Sequence, residues 1–387
     1  MSLDTLPLEL LHQIARVPYV LRQPDFLSLS RVSKRLLPFA RSHLYRSVRL
    51  FISAAWFDEK RDDFDRVGPE KFTRDLFFRT ITDAPHLASK ITTLSLIIDP
   101  KSLEASWNVC QGNYDITDKT IEFLRACINL TNLTLERPGG TGDGDTPFEI
   151  IYAIPTTVRT FRIRNRPVGP LGLARLLSHL SSLFELDLSQ STTIELEQTR
   201  LPVPGTLTVI RLPGEDTKLF PFLREIVDAI PSLRSFDGPP ASLEMLIRRP
   251  LEPLKQLTIR GFVDPSRDQV SYDQLLLKIV TVIRGARTLQ QLSIQLGPGY
   301  GSGYGDSDPA IELIRVLPRT IEKLDLCGPG LYSTATLLTF LGSDKANSMR
   351  SFISYPTRGR YIGLSIQDVE IETSCRNRGI RCKWVST

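Results

Sequence analysis

Residues 130–135 read Leu-Thr-Asn-Leu-Thr-Leu and residues 289–294 read Leu-Gln-Gln-Leu-Ser-Ile. Both fit one phrase, apolar-x-x-apolar-x-apolar. On an extended strand its second and third apolar residues, two apart, point to one face, and the residue between them points to the other. The phrase returns as Tyr45, Val48, Leu50; Ile91, Leu94, Leu96; Val158, Phe161, Ile163; and Leu183, Leu186, Leu188. Later copies are Leu207, Ile210, Leu212; Leu254, Leu257, Ile259; and Ile321, Leu324, Leu326. Copies from Leu233 and Met349 keep two apolar positions and carry Gly238 and Ser354 at the third.

Helix-like runs separate the copies: 116–127, 171–180, 219–230, 272–284, 311–317 and 335–341. Each copy therefore reads as strand, turn, helix, and the expected fold class is α/β. One copy cannot cover its own apolar strand face, whereas stacked copies bury the ladder jointly. Separate α/β domains with incidental leucines are the alternative. The copies from Ile91 onward step by 21 to 39 residues, close to the roughly 20–29 of leucine-rich repeats, and residues 47–387 resemble a divergent leucine-rich-repeat solenoid. That resemblance implies a curved parallel sheet with helices on the outer face. A helix at 365–378 and a strand at 380–385 would form a cap over about 360–387.

The first 46 residues read differently. Pro7 suits a first helical turn, with Leu10, Leu11 and Ile14 at helical spacing behind it. Pro18 and Pro24 break the chain, Asp25 is placed to cap a second helix through Phe26, Leu29, Val32 and Leu36, and Pro38 opens a third to about Tyr45. Three helices in so few residues bury little apolar surface. Some of their leucines either shield the first repeat or face another protein.

This stretch resembles an F-box: Leu6-Pro7, Glu9-Leu10-Leu11, Ile14, Asp25-Phe26-Leu27-Ser28-Leu29 and Arg31-Val32-Ser33-Lys34-Arg35 stand at the family's spacings, with Leu36 and Leu37 where a tryptophan often follows the basic pair. The resemblance implies docking onto a Skp-family adaptor and, through it, a cullin–RING ubiquitin ligase. Carried over residue by residue, the adaptor contacts are Leu6, Pro7, Leu10, Leu11, Ile14, Leu29 and Val32, with Lys34 at the rim. The chain is then expected to be a substrate receptor of an SCF-type ligase, with a non-degradative scaffold as the alternative.

Strand residues beside the buried apolar positions face the concave sheet surface, where such arrays bind partners. The candidates for target binding are Arg162, Arg164, Glu185, Asp187, Arg211, Arg260, Gln291, Gln295, Lys323 and Asp325. Thr134, Glu136, Gln256 and Ser293 occupy equivalent positions. Arg162, Arg164 and Arg211 flank the acids at 185 and 187, so a face of mutually paired charges is as consistent as a binding patch.

Composition and motifs narrow the function. At 387 residues, with 41% hydrophobic and 24% charged, most of the chain is expected to fold. The net charge of +5 arises in residues 1–50, which hold eight Lys or Arg against three acids. The remainder is balanced, which argues against nucleic-acid binding. No secretory start and no apolar run of about 20 residues are present, so no membrane partner and a cytoplasmic or nuclear location are expected. Five scattered cysteines (Cys110, Cys127, Cys327, Cys375, Cys382) read as reduced thiols.

No cofactor, metal or catalytic residue is expected. The glycine loops at 137–147 and 297–309 lack both the G-x-G-x-x-G spacing and a Gly-Lys pair. Asp143, Asp145, Asp306 and Asp308 lack the spacing of a calcium loop. His12, His43, His86 and His179 form no zinc-protease pair.

Overall fold

The computed structural model describes residues 6, 7, 9–11, 13, 23–32, 34–52, 80, 81, 83–98, 114–136, 148–167, 170–192, 202–213, 220–261, 269–296, 308–328, 331–354 and 366–385. Both glycine loops, apart from residues 308 and 309, lie outside them. The chain forms two compact units, residues 1–183 and 184–387.

The first unit opens with helical residues 9–11 and 13, then α1 (Gln23–Val32) and α2 (Leu37–Leu44). The second helix starts two residues before the expected cap at Asp25, with Pro24 in its first turn, where no donor is needed. Leu11, Phe26, Leu36, Phe39 and Ala40 form a buried cluster, with Leu6, Leu29 and Leu44 packed against it. The His43 ring lies 4.9 Å from both the Phe26 and Phe39 rings, stacked on the first. The Arg35 guanidinium donates to the Leu6 carbonyl at 3.2 Å, which ties the start of the chain to the α1–α2 junction.

From there the chain runs through β1 (Ser47–Ile52), α3 (Pro85–Ala88), β2 (Thr93–Ile98), α4 (Tyr114–Ala126), β3 (Asn132–Glu136), α5 (Phe148–Ala153), β4 (Thr160–Pro167) and α6 (Pro170–His179). Strands β1 to β4 pair in sequence order, all parallel. Val48, Leu94, Leu133 and Phe161 share one register row, and Leu50, Leu96, Leu135 and Ile163 the next but one.

The second unit holds β5 (Glu185–Thr192), β6 (Val209–Arg211), α7 (Phe220–Ala229), β7 (Ser235–Gly238), α8 (Leu243–Ile247), β8 (Gln256–Gly261), α9 (Gln269–Gly285) and β9 (Gln291–Leu296). It ends with α10 (Asp308–Arg315), β10 (Lys323–Cys327), α11 (Thr334–Gly342), β11 (Ser351–Ser354), α12 (Ile366–Asn377) and β12 (Arg381–Trp384). Its strands also pair consecutively and in parallel. Leu186, Ile210, Phe236, Leu257, Leu292, Leu324 and Phe352 make a buried ladder across it. Each such side chain contributes about 1.5–3 kcal/mol of transfer free energy. Both units have the leucine-rich-repeat arrangement.

Local chemistry sets the repeat boundaries. Pro155, Pro231 and Pro318 stand two or three residues past the ends of α5, α7 and α10 and bar their continuation. The chain then turns tightly: Val158 N donates to the Pro155 carbonyl at 3.1 Å, and Ile321 N to that of Pro318 at 3.2 Å. Thr157 and Thr320, each just before a copy, donate their hydroxyls to the Leu130 and Leu289 carbonyls of the copy before, at 2.8 and 2.7 Å.

The two irregular copies have their own solutions. At Gly238 an added Cβ would stand 2.7 Å from Ser242 Oγ, which itself donates to the Pro239 carbonyl at 2.5 Å. Ser354 is buried but satisfied, donating to the Leu326 carbonyl at 2.8 Å and lying 2.9 Å from the Tyr332 hydroxyl. Burial pushes the Tyr332 phenol up to about 12.

Candidate functional site

Two surfaces carry the candidate residues. On the N-terminal helices, Pro7, Leu10 and Lys34 are exposed, Leu10 by 43%, while Leu6 and Leu29 are half-buried against the cluster. Leu11 departs from the expectation: at 2% exposure it is part of this chain's own core and offers nothing to a partner. The reason is the small size of the unit, which needs Leu11 to close on Phe26 and Phe39. Ile14 and the Val32 side chain lie outside the described residues.

The second surface is the polar face of the sheet. In the first unit, Arg162 is half-buried and Arg164 exposed on β4, and Arg49 reaches across β2 to Glu136 at 3.4 Å. In the second unit one register row runs Asp187, Arg211, Asp237, Thr258, Ser293 and Asp325 over β5 to β10. The alternation that buries the leucines lifts every one of these to the opposite face.

Their charges are largely matched. Arg211 binds Glu185 at 3.2 Å, and Asp187 accepts from the Ser189 amide at 3.0 Å and hydroxyl at 2.6 Å. Arg260 grips Asp237 with two nitrogens, Nε at 2.9 Å from Oδ1. Asp237 and then Asp187 hold the guanidinium above its ordinary pKa against the opposing effect of burial. On this part of the face the charges of Arg211 and Arg260 are thus met by neighbouring acids.

Beside these pairs lies a depression of about 230 Å³ bordered by Asp237, Gln256, Arg260, Gln291, Gln295, Lys323 and Asp325. Gln291, Gln295 and Lys323 are exposed, as the sequence predicts. Asp325 is not a surface contact: at 6% exposure it is the floor, accepting from Ser293 Oγ at 2.9 Å, Gln295 Nε2 at 3.1 Å and Cys327 Sγ at 2.9 Å. The Gln295 amide nitrogen is thereby engaged with both Asp325 and Ser293. The Gln256 side-chain oxygen accepts from Ser235 Oγ at 3.2 Å. The depression thus sets side-chain amides between the cations of Arg260 and Lys323, which suits hydrogen bonding to a polar chain.

Asp237 was not among the sequence candidates, because its copy loses the third apolar residue to Gly238 and the strand phrase breaks there. Its position one residue after Phe236 is the signal that identifies it. Among the described residues no group of three or more His, Cys, Asp or Glu could hold a metal ion. No described helix is long and apolar enough to cross a membrane.

No protein-family model matches the chain, and no curated protein matches it in sequence. Among solved structures it is similar to one described as the crystal structure of a TLR13–ssRNA13 complex, with 12% identity and a TM-score of 0.33. That match covers 80% of this chain, which spans about half (48%) of the other.

Proposed function

We propose that the chain is a non-catalytic substrate receptor: residues 6–45 act as an F-box that docks a Skp-family adaptor, and the polar sheet face selects a target protein for ubiquitination. The observation that supports this reading most is at Leu10. The N-terminal cluster closes with Leu11, Phe26, Leu36 and Phe39, yet leaves Leu10 and Pro7 outward beside half-buried Leu6 and Leu29. A helical unit this small, with apolar residues to spare, gains stability by filling a partner's groove.

The chemistry would belong to the other ligase subunits. This chain would raise the local concentration of a target near a charged ubiquitin-conjugating enzyme, turning a bimolecular encounter into an effectively intramolecular one. The partners are then proteins only, met in the cytoplasm or nucleus. The alternative is a scaffold that binds the same partners without turnover.

Proximity labelling with intact protein and with the Leu6→Ala/Pro7→Ala double variant, followed by a cycloheximide chase, tests the degradation role. At least one labelled protein should live longer in cells carrying the double variant. Unchanged lifetimes for every labelled protein would reject that role.

A further inference from the structure

We propose that Cys375 and Cys382 are a modification site, at which a hydroperoxide oxidises the pair to a disulfide that staples the last helix to the last strand. The fold brings the two together by a tight reversal. Cys375 sits in the last turn of α12, and its carbonyl accepts from Arg378 N at 3.1 Å and Ile380 N at 2.9 Å. Gly379, at φ +70°, takes the left-handed conformation that turns the chain back. Ile380 is buried, and Cys382, two residues on, points to the same inward side, opposite Phe352 in the register.

The side chains complete the arrangement. Cys375 is fully buried and Cys382 half-buried, and the reversal sets the two thiols close enough to act on each other. That proximity holds the Cys382 thiol below its usual pKa and Cys375 above it, with burial, Glu372 and Asp368 opposing ionisation of Cys382. Of the two, only the half-buried sulfur is open to a peroxide, so Cys382 attacks first and the fully buried Cys375 is its resolving partner. The other described cysteines differ, because Cys127 and Cys327 are each buried with the thiol pushed up to about 12.

The reaction balances in two steps. The Cys382 thiolate attacks one peroxide oxygen and the O–O bond breaks, giving a sulfenic acid and, after protonation, an alcohol or water. Cys375, losing its proton, attacks the Cys382 sulfur and expels water. The two sulfurs together lose two electrons to the peroxide, and dithiothreitol reverses the bond.

The test is peptide mapping of the full chain after hydrogen peroxide, quenching and alkylation. Trypsin cuts at Arg376, Arg378 and Arg381, all between the two cysteines. The expected product is thus a disulfide-linked peptide pair that dithiothreitol separates. In a Cys375→Ser variant the reaction should stop at a sulfenic acid on Cys382, trapped by dimedone. Recovery of both cysteines as alkylated thiols from peroxide-treated wild-type protein, which needs no variant, would overturn the proposal, as would linkage of Cys382 to a different cysteine.

Discussion

Ser293 on β9 donates its hydroxyl to Asp325 on β10 at 2.9 Å, at the floor of the polar depression. The bond joins neighbouring repeats in one register row, and it links the stability of the sheet to the shape of its polar face. Removing the carboxylate strands the donors that point at it, at a cost of about 1–3 kcal/mol for a buried unsatisfied group. Asp325→Ala is therefore expected to lower stability by about that much in urea denaturation. Lys323→Ala, two residues away and exposed, should change it by less than about 0.5 kcal/mol.

The leucine ladder makes a sharper demand. Leu257 and Leu324 are essentially inaccessible and stand in one row across β8 to β10. Each truncated to alanine should cost about 2–5 kcal/mol, measured by the same denaturation, with no change in the exposed face. A cost near zero at both would mean that the ladder is not the core.

At Gly238 the space is already taken, because an alanine Cβ would meet Ser242 Oγ at 2.7 Å. Gly238→Ala should destabilise by about 1–3 kcal/mol. The Gly238→Ala/Ser242→Ala pair should recover part of that loss, since it removes the clashing oxygen. Thermal melts of the three variants give the comparison.

High pH should weaken the fold. Burial raises the Cys127 and Cys327 thiols to about 12 from an ordinary value of 9.0, and the Tyr332 phenol to about 12 from 10.0. A group that ionises later in the folded chain than in the unfolded one stabilises fully below the unfolded pKa, and that contribution fades as pH rises toward the folded one. Stability should therefore fall between about pH 9 and 12. Cys127→Ala should make the decline shallower in denaturation curves taken across that window.

These features differ in how far the amino-acid order reveals them. Every copy of the strand phrase became a parallel strand, even those broken by Gly238 and Ser354, because alternation at a spacing of two is enforced by the neighbours on each side. The seven helices expected between and after the copies also formed, within a few residues of their expected ends. The short helices at Phe148–Ala153 and Leu243–Ile247 escaped, since five or six residues show too little periodicity. Side-chain partners were harder still. Asp237 and Arg260 meet only because register sets Asp237 beside Thr258, and Asp325 looks like any exposed strand acid until Ser293, Gln295 and Cys327 close around it. At the start of the chain, helical spacing marked Leu10 and Leu11 alike, and only packing separates the outward one from the buried one.

That separation is what most directly exposes the proposed docking surface to experiment. Isothermal titration of the purified full chain with a Skp-family adaptor, wild type against Leu10→Asp, measures it, with a thermal melt to confirm that the variant remains folded. The account predicts saturable one-to-one binding by the wild type and a loss of at least about tenfold in affinity for Leu10→Asp, with the melt unchanged. Equal affinity in the two proteins, or no binding by the wild type, would contradict it.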